Sequence, residues 1–278
     1  WHKTLNAFKD REMFRIDMRH ILGHTQEFWD FSEELTALTE VVVNAAYHLI
    51  HEDLRRVHGT PQLDNRNVSD MTVCALGKCG GRELGFASDI ELMFVYAGNG
   101  RTTGPEVVTT AEFYEHLVQL FLGAIHAKRE GIFEIDLRLR PYGKSGSMAV
   151  PLASFRRYYA PDGPAWAYER QALVKLRPIA GDTELGETLV KLRDQSVYHG
   201  PPFDVNAMRA MRERQLRHLV TGGTFNAKYS PGGLVDVEYL VQGLQINHGA
   251  ANAELRCTHI REAMRALADV GVLSEETY

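Results

Sequence analysis

Residues 88–96 read Ser88-Asp89-Ile90-Glu91-Leu92-Met93-Phe94-Val95-Tyr96, and the alternation from Asp89 to Tyr96 predicts a β-strand. In an extended chain successive side chains project to opposite faces, so Asp89 and Glu91 share one face while Ile90, Leu92 and Phe94 take the other. Two ionised carboxylates side by side repel each other. A hard divalent cation such as Mg²⁺ is the natural neutraliser, because it takes oxygen ligands and keeps positions open for phosphate oxygens. The plainer reading of the same pattern is a half-exposed strand with two surface acids.

Further along, Phe133-Glu134-Ile135-Asp136-Leu137-Arg138-Leu139-Arg140 repeats the device. As a strand, this segment sets Glu134, Asp136, Arg138 and Arg140 on one face and Ile135, Leu137 and Leu139 on the other, before Pro141 closes it. If the two strands are neighbours, Asp136 completes a three-carboxylate cluster able to hold two metal ions about 4 Å apart. Arg138 and Arg140 then suit phosphate oxygens, unless they form only an ion-pair ladder on a sheet face. Upstream, the apolar run Met71–Leu76 predicts a buried strand that meets the turn Gly77-Lys78-Cys79-Gly80-Gly81. Gly80 and Gly81 serve either a tight turn or a helix start whose backbone N–H groups face a triphosphate. Lys78 and Ser88 complete the candidate phosphate-binding set. The combination points to in-line phosphoryl transfer.

Outward from this centre the pattern is helical. A helix is expected over Leu5–Leu22, and a longer one over Glu27–Arg56, where Phe28, Phe31, Leu35, Leu38, Val42, Ala45 and Leu49 form one stripe that stops before Gly59-Thr60-Pro61. Another helix is expected from Glu106 to Arg129. Residues 151–180 read as mainly helical, with short helices over Leu152–Tyr159 and from Pro164. Asp204–Leu219, a helix opened by Gly232-Gly233 with Leu234, Val237, Val241 and Leu244 on one face, and Thr258–Leu267 complete the set. The expected class is α+β: a helical segment over 1–60, an α/β domain over 61–200 and a C-terminal helical domain over 201–278.

A chain of 278 residues, 44% hydrophobic, can bury cores without disulfides or metals. Its net charge of −5 supplies no broad field for a polyanion, which argues against nucleic acid as a partner. Cys74, Cys79 and Cys257 are too scattered for a disulfide framework or a thiolate zinc site, which fits a reducing, cytoplasmic compartment. No apolar run approaches the length of a membrane span. The start Trp1-His2-Lys3 has neither an initiator Met nor a signal-peptide pattern, so a piece of a longer protein is expected.

Four segments in order carry a resemblance: Gly77–Leu84, Ser88–Leu92, Glu134–Pro141 and Pro231-Gly232-Gly233-Leu234-Val235-Asp236-Val237-Glu238-Tyr239-Leu240-Val241-Gln242. With Tyr168–Lys175 between them, they closely resemble glutamine synthetase adenylyltransferase/deadenylylase. The resemblance implies a polymerase-β-like nucleotidyltransferase fold flanked by helices, acting in the control of nitrogen assimilation. It implies two such halves in the family: one attaches AMP from ATP to a tyrosine of glutamine synthetase, and the other removes it by phosphorolysis, releasing ADP. By this resemblance Asp89, Glu91 and Asp136 are Mg²⁺ ligands, and Asp136 is also the base. The family's usual second acid is Asp where this chain has Glu91. Arg140–Gly143, the Tyr158-Tyr159 pair and the two chain ends favour the N-terminal, removing half, whereas Glu83–Gly85 and Gln171–Leu173 favour the attaching half. Lys228, Asp236 and Glu238 are further candidates for the cleft, although Asp236 and Glu238 also suit an ordinary helix start. The rival expectation is a non-catalytic module that binds nucleotide or a PII-type signalling protein; a related one is uridylyl transfer to such a protein.

Overall fold

The structure, a computed structural model, describes residues 1–127, 132–220 and 225–274. It divides into two units, Trp1–Tyr158 with Lys175–Lys191, and Tyr159–Val174 with Leu192–Tyr278. The first contains α1 (His2–Ile21), α2 (Phe28–His58), β1 (Pro61–Leu63), β2 (Met71–Ala75), α3 (Gly77–Gly80), β3 (Ile90–Tyr96), β4 (Gly100–Thr102), α4 (Thr110–Ala124), β5 (Ile135–Asp136), β6 (Ala149–Pro151), α5 (Leu152–Tyr158) and β7 (Arg177–Gly181). Thus the N-terminal helices belong with the sheet, and residues 159–174 with the C-terminal helices, so the boundaries differ from the expected three-part division.

Helix α2 follows its apolar stripe only at first. Phe31, Leu35, Leu38 and Val42 are buried, but the buried face then moves to Val43, Ala46, Tyr47, Ile50 and Leu54, while Phe28 and Leu49 are exposed. A strict 3,4 alternation has period 3.5, and a straight helix has period 3.6, so such a stripe drifts round the helix by about 20° every seven residues. The helix ends at Gly59, whose φ of 76° suits glycine. Helix α4 starts at Thr110 rather than near Glu106 because Thr109 and Glu112 form a reciprocal capping box. The expected end of that helix at Arg129 lies outside the described residues.

The main sheet runs β7-β2-β3, and β5 and β6 share the far edge of β3. Strand β2 is antiparallel to both β3 and β7, whereas β5 and β6 are parallel to β3. All five residues of β2 are buried, and α1, α2 and α4 supply Met13, Ile16, Leu38, Val42, Phe113, Leu117 and Phe121 to the core shared with the sheet. Burial of these apolar faces is the main stabilising term.

Strand β7 falls where helix was expected. Pro178 has no N–H and would spoil a central strand, but β7 pairs only with β2 in the sheet order, and an outer strand tolerates a missing donor. Strands β1, β4 and β6 are three residues each, too short to show a period.

In the second unit are α6 (Ala167–Ala172), α8 (Val205–Leu219), α9 (Leu234–His248) and α10 (Ile260–Asp269), while α7 (Thr183–Tyr198) is divided between the units. Asp204 caps α8 by accepting from the Ala207 N–H at 2.9 Å. The face expected for α9 is corrected: Leu234 and Val237 are exposed, and Val235, Val241, Gln242, Gln245 and Ile246 are buried. Gln245 donates to the carbonyls of Leu255 and Cys257, so a polar side chain occupies the buried side that a count of apolar residues missed. No helix among the described residues is long and apolar enough to cross a membrane.

Candidate functional site

Strand β3 carries Glu91 and β5 carries Asp136, and the two are register partners in the parallel pair. Asp89 stands one residue before β3. The chain there is held by the Ile90 N–H on the Glu134 carbonyl (2.7 Å) and the Phe133 N–H on the Ser88 carbonyl (3.2 Å). The three acids expected to converge therefore lie on adjoining segments of one sheet edge.

Of the three, Glu91 is the one whose carboxylate burial leaves an oxygen, Oε2, without a hydrogen-bond partner among the described residues. Burial first, then the Asp89 charge, with Asp136 adding to it, pushes its carboxyl up to about 7. Gly77 makes room for it: a Cβ there would lie 2.5 Å from the Glu91 carboxylate carbon, and the residue's φ is +50°. The sequence reading placed Gly77 only in a motif; its role is visible once Glu91 is seen against it.

Arg138 is bound to Asp136. Its Nε donates to Asp136 Oδ2 at 2.6 Å, its backbone N–H donates to Oδ1 at 2.8 Å, and its Nη2 stands 3.7 Å from Asp89. The guanidinium thus lies where positive charge is needed between two acids, and its side chain is 63% exposed, so it can move. These contacts also correct the expected third strand. By accepting the N–H two residues on, Asp136 forms a local turn that competes with the ladder and ends β5 after two residues.

As a result Arg140 does not share a strand face with Asp136. It is buried, donating from Nη1 to the Leu137 carbonyl (2.7 Å) and from Nη2 to the Gly146 carbonyl (3.0 Å), which pins the following loop. Its expected role as a phosphate ligand is corrected accordingly.

The glycine turn also differs from expectation. The N–H groups of Gly80 and Gly81 are used within the turn, donating to the carbonyls of Leu76 (2.8 Å) and Gly77 (3.0 Å), so they are not the free phosphate donors expected. Their lack of a side chain serves packing. A Cβ on Gly80 would fall 1.9 Å from the Lys175 carbonyl oxygen, and one on Gly81 would fall 2.8 Å from both Lys175 Nζ and Glu83 Oε2. Ser88 is buried with its Oγ accepting from the Gly85 N–H at 3.0 Å. Lys78 is exposed, and its charge acts on Glu91.

Lys228, Asp236 and Glu238 belong to the second unit and have local partners. Arg212 binds Asp236 through Nε at 2.5 Å, and the Gly232 N–H donates to the same carboxylate at 2.8 Å. Glu238 accepts from Gln242 at 3.1 Å, and the Lys228 ammonium stands 5.1 Å from the Tyr229 ring centre.

Among the described residues no three His, Cys, Asp or Glu side chains form a ready metal cage. The chemistry of the donor set is that of a hard-cation site: three carboxylates on adjoining segments, one with an orphaned buried oxygen, facing the exposed Arg138 guanidinium and the charge of Lys78.

The family model described as glutamate-ammonia ligase adenylyltransferase matches residues 1–191. A bifunctional glutamine synthetase adenylyltransferase/adenylyl-removing enzyme of Hahella chejuensis is 31% identical over 279 residues, covering 98% of this chain and 28% of that protein. Proteins of the same description from Thioalkalivibrio sulfidiphilus and Aromatoleum aromaticum are 31% and 32% identical, again over 98% of this chain and over 28% and 30% of their own lengths. This chain therefore spans under a third of each of these relatives. Because the matched stretch includes Asp89, Glu91 and Asp136 and the identity extends along nearly all its length, the chain belongs to the glutamate-ammonia ligase adenylyltransferase family.

Proposed function

We propose that the first unit is a polymerase-β-like nucleotidyltransferase that moves an adenylyl group between a nucleotide and a tyrosine of glutamine synthetase, in the cytoplasm. The observation that carries this reading is the register pairing of Glu91 with Asp136 beside Asp89, with the Glu91 Oε2 buried and unpartnered.

Asp89, Glu91 and Asp136 would hold Mg²⁺, as one ion or two, supplying a Lewis acid for the phosphate oxygens. In the attaching direction the tyrosine oxygen attacks the α-phosphorus of ATP, its proton passes to Asp136, and pyrophosphate leaves. In the removing direction an oxygen of inorganic phosphate attacks the α-phosphorus of adenylyl-tyrosine, the tyrosine oxygen leaves and takes up a proton, and ADP is released. Arg138 turns from Asp136 to the phosphate oxygens, where a planar guanidinium can donate two parallel hydrogen bonds. Lys78, in the turn that Gly80 and Gly81 pack, adds charge on the phosphate side, and Ser88 stands just before Asp89. We favour the removing direction, which rests on Arg140–Gly143 and Tyr158-Tyr159.

The experiment mixes this chain and Mg²⁺ with adenylylated glutamine synthetase and phosphate, and separately with unmodified synthetase and ATP, following the synthetase mass. Loss of AMP with ADP released supports the removing direction, and gain of AMP supports the other. No change with either, while the chain binds ATP, supports the second reading, a non-catalytic module for nucleotide or a PII-type protein. The contact of Arg138 with Asp136 favours that reading, since it occupies a carboxylate that catalysis requires. Transfer from UTP to a PII-type protein instead would identify uridylyl transfer.

A further inference from the structure

The Gly77–Gly81 turn, which meets Glu91 at Gly77, is gripped further along by two cations, Lys175 just before β7 and Arg177 at its start. The Lys175 side chain is only 2% exposed and its ammonium is paired with Glu83. Its main chain also fits against Gly80 so closely that no side chain could stand there. Two residues on, Arg177 donates from Nε to the Gly80 carbonyl and from Nη2 to the Cys79 carbonyl, both at 3.0 Å, while its Nη1 reaches Glu40 of α2 at 2.6 Å. The turn is therefore tied to β7 and, through Arg177, to α2. At its start Gly77 faces the Glu91 carboxylate.

A lysine buried against a half-buried glutamate is a poor way to gain stability, because the cost of taking the ammonium, and part of the carboxylate, out of water offsets much of their attraction. An apolar residue of similar length would fill the same space without that cost. What the pair and the forked guanidinium supply is direction: a salt bridge beside Gly81 and two hydrogen bonds on consecutive carbonyls leave the turn one orientation. A small rotation of the turn would bring the Gly77 main chain into the Glu91 carboxylate or leave that carboxylate unsupported.

We infer that Lys175 and Arg177 are positioning residues: by fixing the Gly77–Gly81 turn they set the place of the Glu91 carboxylate, and so tune how strongly the site takes a divalent cation together with a nucleotide. This rests on the function proposed above and extends it to residues that touch neither metal nor nucleotide. The pattern follows a general rule of metal sites, in which groups behind the ligands set affinity through ligand orientation.

The test uses this 278-residue chain and measures ATP affinity by calorimetry, with Mg²⁺ and with a chelator, beside the thermal midpoint. Lys175→Met combined with Glu83→Gln removes both charges of the pair, so the fold is not left with one buried ion. Arg177→Lys keeps the charge but loses the fork. Both variants are expected to keep metal-free ATP affinity and to lose about tenfold of the enhancement that Mg²⁺ gives. Lys175→Arg, which keeps the pair, should retain most of it. If the Mg²⁺ enhancement is undiminished in both variants, the inference is overturned and the proposed site stands. An equal loss with and without Mg²⁺ also overturns it, because that is the mark of a general structural role. If the unaltered chain binds ATP with no Mg²⁺ enhancement, the reading of the carboxylates fails and takes the inference with it.

Discussion

Glu91 on β3 and Asp136 on β5 are register partners across a parallel strand pair. Neighbouring strands stand about 4.8 Å apart, so partners in register present side chains to the same face, and two acids there concentrate negative charge. Glu91 cannot spread its charge into water because its Oε2 is buried. The acids are thus brought together at some cost to the folded protein, a cost that the proposed cation would relieve.

Replacing Asp89 or Asp136 by Asn should lower adenylyl transfer by about 10²–10³-fold, since each contributes charge rather than packing. The thermal midpoint should hold or rise for Asp89→Asn, because a repulsion on Glu91 is relieved. Turnover assayed beside a melting curve checks this; full activity in Asp89→Asn would remove that residue from the site.

Gly77→Ala should act through Glu91. The new Cβ would stand 2.5 Å from the Glu91 carboxylate carbon, at a φ of +50° that an L side chain disfavours. A loss of about 1–3 kcal/mol is expected, together with loss of Mg²⁺-dependent nucleotide binding. Urea unfolding and calorimetry read the two effects separately, and an unchanged protein in both would mean that Gly77 has slack around it.

Arg138 and Arg140 should behave differently although they are two residues apart. Arg140→Ala strips donors from the carbonyls of Leu137 and Gly146 in a buried place, so a loss of about 1–3 kcal/mol in unfolding free energy is expected. Arg138→Ala should leave stability nearly unchanged, since the Arg138 side chain is 63% exposed, but should raise KM for the phosphate-bearing substrate. The reverse pattern would return Arg140 to the phosphate side.

His51 provides a pH-dependent stability. It stacks on Tyr47 with ring centres 5.6 Å apart, and burial, aided by Arg55, pulls its pKa down to about 4. The unfolded chain takes up this proton near pH 6.5 and the folded one only near 4, so stability declines as pH falls through that window. Between pH 7 and 5 the decline should be about 1 kcal/mol after allowance for partial exposure. The gap between the urea midpoints of the unaltered protein and His51→Gln should change by that amount from pH 7 to pH 5, as only the unaltered protein declines through His51, and parallel curves would exclude His51 as the source.

The carboxylates were legible because period-two alternation places Asp89 and Glu91 relative to each other without reference to the rest of the chain. Helix α2 was legible in extent for the same local reason, yet its buried face was read correctly only over the first turns. Arg140 was misplaced because the alternation assumed a strand through residue 140, while the Asp136 carboxylate turns the backbone first. The sequence leaves Gly80 and Gly81 open between a tight turn and phosphate donors because a Gly-Gly pair does not announce which distant segment fits against it; here it is Lys175.

By itself the sequence determined the α+β composition, the long helix and the sharing of one strand face by Asp89 and Glu91, all set by periodicity and side-chain chemistry within a few residues of each other. Tertiary structure alone decided that β5 lies beside β3, that β7 is the outer strand, and that Lys175 and Arg177 grip the glycine turn. Those outcomes depend on hydrogen bonds and close approaches between segments far apart in the chain, and the local hydropathy pattern does not encode which segments will meet.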